Sequence, residues 1–119
     1  MVATEPAAGI QAVVSGWGAL SSANTTLPLQ LQAVHVNITV RTTCTNTYGT
    51  DHPVTNNMVC AGEAGAGICN GDMGSPLVVS GVLVGIASWG IGCAEDPYPG
   101  VYTSIAKLKS FVTQVTGVS

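Results

Sequence analysis

The sequence predicts an all-β antiparallel barrel with one terminal helix, and three observations lead there. Short apolar runs follow one another at close spacing. The stretches between them are rich in Ser, Asn, Gly and Pro, the residues of turns. Only the C-terminal segment carries helical rather than strand periodicity.

The elements follow in order. Residues 11–17 form a short apolar run ending in Gly-Trp-Gly. Residues 29–40 alternate, with Leu29, Leu31 and Ala33 on one face and Gln30 and Gln32 on the other. The apolar face then switches at Val34, Val36, Ile38 and Val40, which predicts a bulge or a corner. Residues 58–61, 76–79, 83–89 and 100–104 complete the strands. In 105–115, Ile105, Leu108, Phe111, Val112 and Val115 share one helical face, and Ser104 stands at the N-cap position. No repeat or linker interrupts the chain, whose 119 residues amount to one domain at most.

Composition narrows the function. Hydrophobic residues make up 46% of the chain, enough for a real core, while charged residues are only 8%. The surface must therefore be built largely from Ser, Thr, Asn, Gln and Gly, as in many secreted β proteins. With 3 Lys+Arg and a net charge of −3 there is no basic stripe, so nucleic acid is not an expected partner. The longest apolar stretch, residues 76–87, is broken by Ser80, Gly81 and Gly85, and falls short of the roughly 18–20 residues of a membrane helix.

Four cysteines, Cys44, Cys60, Cys69 and Cys93, include no C-x-x-C pair, so two disulfides are expected rather than a metal site. Three connectivities are possible. No cofactor is implied. Asn24 and Asn37 each begin a glycosylation sequon; Asn24 lies in a polar loop and Asn37 in a strand pattern. The first residues, Met-Val-Ala-Thr-Glu-Pro, do not read as a signal peptide, which sits awkwardly with a disulfide-bonded protein.

The chemistry concentrates in Cys69-Asn70-Gly71-Asp72-Met73-Gly74-Ser75-Pro76-Leu77. This segment resembles the nucleophile loop of the chymotrypsin/trypsin family of serine proteases, C-x-G-D-S-G-G-P-L. Four further segments resemble that family in the same order: Ser15-Gly16-Trp17-Gly18, Asn57-Met58-Val59-Cys60-Ala61, Ile86-Ala87-Ser88-Trp89-Gly90 and Pro99-Gly100-Val101-Tyr102-Thr103. Insect digestive trypsins are the most similar. The resemblance implies the second of two six-stranded Greek-key barrels, with the pairings Cys44–Cys60 and Cys69–Cys93. It also implies a peptide or protein substrate and an extracellular location.

Family chemistry is acyl transfer by a Ser–His–Asp triad beside an oxyanion hole. The alignment places Met73 at the nucleophile, and a thioether has no proton to give up. Ser75 stands where the family has Gly, two positions from the nucleophile. The family's His and Asp lie upstream of the residues equivalent to Gly9, so a missing N-terminal barrel is the expected partner. The two histidines present, His35 and His52, match neither catalytic motif. The Gly71 and Met73 N–H groups would form the oxyanion hole. Asp72 resembles the carboxylate that pairs with the N-terminal ammonium of the activated enzyme; lacking that partner, it should be exposed, protonated or turned away. Gly67 falls at the base of the specificity pocket, with Gly90 and Gly100 on its walls. This predicts an open, uncharged slot for a large apolar side chain. Ser88, Trp89 and Gly90 could pair with an extended peptide. An inactive half of a protease fold is therefore expected, either a binding relative or a product without function, the alternative being an active endopeptidase known only in part. Exposure of the face that meets the other barrel predicts poor solubility.

Overall fold

The computed structural model describes residues 4–19, 27–62, 67–69, 71–93 and 98–118. They form strands β1 (Gln11–Gly16), β2 (Gln32–Asn37), β3 (Met58–Ala61), β4 (Pro76–Val79), β5 (Val82–Trp89) and β6 (Gly100–Ser104). Helix α1 (Arg41–Tyr48) lies between β2 and β3, and α2 (Ile105–Thr116) follows β6.

The strands make one antiparallel sheet in the order β2-β1-β4-β5-β6-β3. Strands β4, β5 and β6 run as a meander, and β3 lies beside β6 in the Greek-key manner. The sheet curls until its edges meet. Ile38, just past β2, bridges Ala61 at the end of β3. Thr39 N–H donates to Cys60 O at 2.8 Å, and Gly62 N–H donates to Asn37 O at 3.1 Å. Much of the edge hazard of an open sheet is removed in this way.

Alternation fills the interior. Ala12 and Val14 of β1, Val36 of β2, Val59 and Ala61 of β3, Leu77 of β4, Val84 and Ala87 of β5 and Tyr102 of β6 are buried in one cluster with Ile38 and Ile68. Each large side chain withdrawn there contributes about 1.5–3 kcal/mol. A second cluster joins Cys44, Tyr48, Cys60 and Val101, with Trp89 and Tyr98 packed on it.

Strands β3 and β6 have the predicted bounds, and Ser104 Oγ accepts the Lys107 N–H at 3.4 Å to cap α2. Two expectations need correction. First, of the bulge or corner expected in 29–40, no bulge lies where the pattern changes phase: β1 and β2 pair without a break from Gln11↔Asn37 to Gly16↔Gln32, and the change of neighbours comes just past the strand, where Ile38 bridges Ala61. The strand simply begins at Gln32, so Leu29 and Leu31 lie outside it and are exposed. The irregularities fall instead at Leu77/Val78 against β5 and at Ala87/Trp89 against β6.

Second, α1 is an additional helix. Its sequence, RTTCTNTY, is rich in β-branched Thr and has no side-chain N-cap. Tertiary anchors hold it: the Cys44–Cys60 disulfide and the buried Tyr48, whose hydroxyl donates to Pro99 O. Arg41, its first residue, pairs with Glu5 at 2.6 Å and donates to the carbonyls of Thr55 and Met58. The apolar face of α2 is only partly covered. Ile105 is buried, yet Phe111 is 62% and Val115 69% exposed.

Candidate functional site

The loop between Cys69 and β4 is built by backbone pairing around Asp72. Asp72 N–H donates to Cys69 O at 3.0 Å, and Ser75 N–H donates to Asp72 O at 2.9 Å. Gly74 N–H donates to Ala87 O at 2.7 Å, and Ala87 N–H returns a bond to Ser75 O at 2.9 Å, pinning the loop to β5. Gly71 and Gly74 take φ of 93° and 89°, a left-handed region that favours glycine.

The Asp72 carboxylate is half-buried and occupied. Oδ1 accepts the Gly18 N–H at 2.8 Å, and Oδ2 accepts the Cys69 N–H at 3.0 Å. It sits in a notch made by glycines: a Cβ on Gly16 would fall 2.1 Å from Oδ1, and one on Gly18 2.4 Å from Cγ. The expectation that Asp72 would be exposed or turned away is therefore corrected. Backbone donors supply hydrogen bonds to the anion, easing the desolvation that motivated that expectation. Beside it lies a cavity of about 190 Å³, lined among others by Val14, Gly18, Ala19, Gln32, Gly67 and Asp72.

Met73 projects from this loop and is 52% exposed. Among the described residues, the N–H groups of Gly71 and Met73 meet no acceptor. Ser75 is half-buried, and its Oγ would lie 2.8 Å from a Cβ on Gly16, so it faces β1 beside Asp72. His35 lies on β2 opposite Val13, and His52 stands with its ring 6.3 Å from Trp89. Asn24 and Asn70 lie outside the described residues; Asn37 ends β2.

Of the expected cleft residues, Gly90 and Gly100 lie together, while Gly67 lines the cavity beside Asp72. The Cys69–Cys93 disulfide ties the loop to the segment after β5, and Cys44–Cys60 ties α1 to β3. A Cβ on Gly90 would lie 3.7 Å from Gly100 Cα, so these two positions are adjacent. Trp89 stacks edge-on against Tyr48 at 4.9 Å. Pairing of β4 with β5 ends at Pro76↔Ile86, and the last bonds on that side involve Ala87. Ser88, exposed at the β5/β6 irregularity, begins a stretch with no β4 partner.

Sequence reasoning passed over two residues. Ile68 is buried, and a Cβ on Gly100 would meet its Cγ1 at 2.9 Å and Cδ1 at 3.2 Å. Tyr102 is fully buried, and its hydroxyl has no hydrogen-bond partner among the described residues. Burial, with the Asp72 charge adding to it, pushes its pKa well above the ordinary tyrosine value. Tyr102 follows the alternation of β6 toward the interior, Ile68 lies in the segment between β3 and β4, and their meeting at Gly100 depends on tertiary approach. Among the described residues no cluster of His, Cys, Asp or Glu could hold a metal, and no helix is long and apolar enough to cross a membrane.

The glycine-lined carboxylate and the loop pinned to β5 lie on the segment whose sequence resembles a serine-protease nucleophile loop. The trypsin family model matches residues 2–112, and the chain belongs to the trypsin family of serine proteases. It is 49% identical over 113 residues to trypsin beta of Drosophila erecta, covering 94% of this chain and 45% of that protein. It is 51% identical over 108 residues to trypsin alpha of Drosophila melanogaster, covering 90% of this chain and 42% of that one. Among solved structures, neuropsin, a serine protease expressed in the limbic system of mouse brain, superposes with a TM-score of 0.91 at 36% identity, covering 97% of this chain and 52% of that chain. The chain thus spans a little under half the length of these two trypsins.

Proposed function

We propose that this chain is the C-terminal barrel of a trypsin-family protein that works outside the cell, binding peptides without cleaving them. The observation that carries this reading is Met73. Acyl transfer needs a nucleophile that can lose a proton to a base and then bond the scissile carbonyl. The Met73 thioether has no such proton, and its side chain is exposed on the loop. Ser75 is a poor substitute, because its hydroxyl faces β1 rather than the cleft.

Binding needs less. The stretch Ser88-Trp89-Gly90, which has no β4 partner, offers backbone groups on that side to an extended peptide, which would add as a strand. Trp89, braced by Tyr48, gives that strand an apolar wall. The exposed Phe111 and Val115 on α2 favour a second body covering that face, and a preceding barrel fits the share of the two trypsins that this chain spans.

The test is labelling with a serine-directed fluorophosphonate, run with a peptidase assay on the chain folded under oxidising conditions. Neither labelling nor turnover is expected. Labelling that vanishes in Ser75→Ala would overturn the reading. Met73→Ser in the same chain is expected to remain inactive, since neither His35 nor His52 matches the family's base.

A further inference from the structure

Glu5 joins elements that are distant in sequence. Its Oε2 pairs with Arg41 Nη2 at 2.6 Å, at the first residue of α1. Its Oε1 accepts the Ser104 Oγ–H at 2.8 Å, where β6 ends and α2 begins. Arg41 Nη1 in turn donates to Thr55 O at 3.1 Å and to Met58 O, so the same guanidinium reaches the start of β3. Ser104 is fully buried and Glu5 and Arg41 are half-buried, so solvent screens this network less than a surface pair.

The strap that carries Glu5, residues 4–10, has little else to hold it. Among the described residues, Glu5 supplies all of its side-chain hydrogen bonds. Ala7, Ala8, Gly9 and Ile10 are exposed. Its backbone fastens to the barrel at the other end, where Gly9 N–H donates to Ile38 O at 2.8 Å and Ile10 O accepts the Ile38 N–H at 2.9 Å. A cavity of about 130 Å³ lies against the strap, lined among others by Glu5, Pro6, Ile38, Arg41 and Cys60. Close packing therefore does not seal the strap down.

Helix α1 runs from this contact toward Trp89. Arg41 is its first residue and Tyr48 its last. Tyr48 is buried, donates its hydroxyl to Pro99 O and stands edge-on to the Trp89 ring at 4.9 Å. The helix has weak intrinsic preference and no side-chain cap, so tertiary contacts decide whether it is formed. The Cys44–Cys60 disulfide pins its middle, and Glu5 holds its beginning.

We propose that Glu5 is a positioning residue for the Trp89 wall, acting through Arg41 and α1, so that the seating of the N-terminal strap sets the order of the cleft. With the strap seated, the first turn of α1 is fixed and Tyr48 braces Trp89. With the strap displaced, Arg41 loses its anion, α1 frays from its first turn and Trp89 loses its brace. Coupling of this kind needs a two-state element that both sites bias, and α1 supplies it. The second arm of Glu5 ends on a different helix. Ser104 Oγ, besides donating to Glu5, accepts the Lys107 N–H at 3.4 Å, so a change at Ser104 acts on α2 and leaves the Arg41 pair intact.

The experiment is amide hydrogen exchange on the disulfide-bonded chain, with Trp89 emission read in a Trp17→Phe background. No peptide is present, so the result stands apart from the peptide-binding reading. The variants are Glu5→Gln, Arg41→Met, the two combined, and Ser104→Ala. Glu5→Gln keeps the size of the side chain and removes its charge. It should lower protection of the amides from Cys44 to Tyr48 about three- to tenfold, as expected for a charged hydrogen bond in a partly exposed pair. The Trp89 emission should move to the red in the same variant. Arg41→Met should do likewise, and the combined variant should match Arg41→Met alone, because both changes cut one link. Ser104→Ala should lower protection in α2 and leave α1 and Trp89 as they were. Unchanged α1 protection in Glu5→Gln would overturn the proposal. So would loosening of α1 without a Trp89 shift, since the helix would then not carry the effect to the cleft. Losses that add in the combined variant would show two separate actions and count against it. A loss of protection spread evenly over the sheet and both helices would reduce Glu5 to a general stabiliser, which also refutes the positioning role.

Discussion

Asp72 and Gly18, 54 residues apart in sequence, meet through a 2.8 Å hydrogen bond from the Gly18 N–H to Oδ1. This contact joins the turn after β1 to the nucleophile loop. It exists only because position 18 has no Cβ, which would lie 2.4 Å from the carboxylate carbon.

Gly18→Ala should therefore push Asp72 from its notch and destabilise the chain by about 1–3 kcal/mol, the usual cost of forced overpacking. Gly90→Ala is the control, since its added Cβ would meet Gly100 Cα and the Tyr48 hydroxyl at an ordinary contact distance of 3.7 Å and should leave stability almost unchanged. Urea denaturation of both variants checks this, and equal midpoints would contradict the close approach.

Much of the fold was legible because strand alternation and turn residues are local. The bounds of β3 and β6 followed from such signals. Helix α1 was not legible, because Thr-rich RTTCTNTY has weak helix propensity and owes its form to Cys60 and Pro99. The nucleophile loop could be read from motif spacing, including the Met73 substitution. The state of Asp72 could not, since its donors include Gly18, far away in sequence. Ile68 was missed for the same kind of reason: glycines at 90 and 100 suggest space, and only tertiary approach shows what fills it.

Tyr102→Phe should be neutral or stabilising by up to about 1–3 kcal/mol, because it removes a buried hydroxyl that has no partner among the described residues. Chemical denaturation at neutral pH measures this. A loss of more than 1 kcal/mol, on the order of one net hydrogen bond, would mean that the hydroxyl is satisfied in solution.

Alkaline pH should unfold the chain through its buried phenols. Tyr48 and Tyr102 both titrate above the ordinary value of 10.0, chiefly because burial disfavours the phenolate. Their folded-state pKa values are raised, so their contribution is complete below pH 10.0 and is lost as pH climbs further. There the unfolded chain gives up protons that the folded chain retains. Tyr102 alone should cost about 1.4 kcal/mol per pH unit in that range. Denaturation midpoints should fall steeply above that point in the unaltered chain and less steeply in Tyr102→Phe.

Cutting the Cys44–Cys60 link should melt α1 before the sheet. The bridge spans a sequence separation of 16, and a loop of that length contributes about 3 kcal/mol. The helix has little else of its own: no side-chain N-cap, no acidic residue in its first turn and no basic residue in its last. The curled sheet keeps its Ile38–Ala61 closure and its interior cluster without that bond. A Cys44→Ser/Cys60→Ser variant should therefore lose amide protection first across residues 41–48 and the packed Tyr48 ring. Tyr48 is also the brace for Trp89, so Trp89 fluorescence should shift toward that of solvated indole in the same variant. Hydrogen exchange that remained protected in α1 after the double change would show that Tyr48 and Arg41 suffice to hold it.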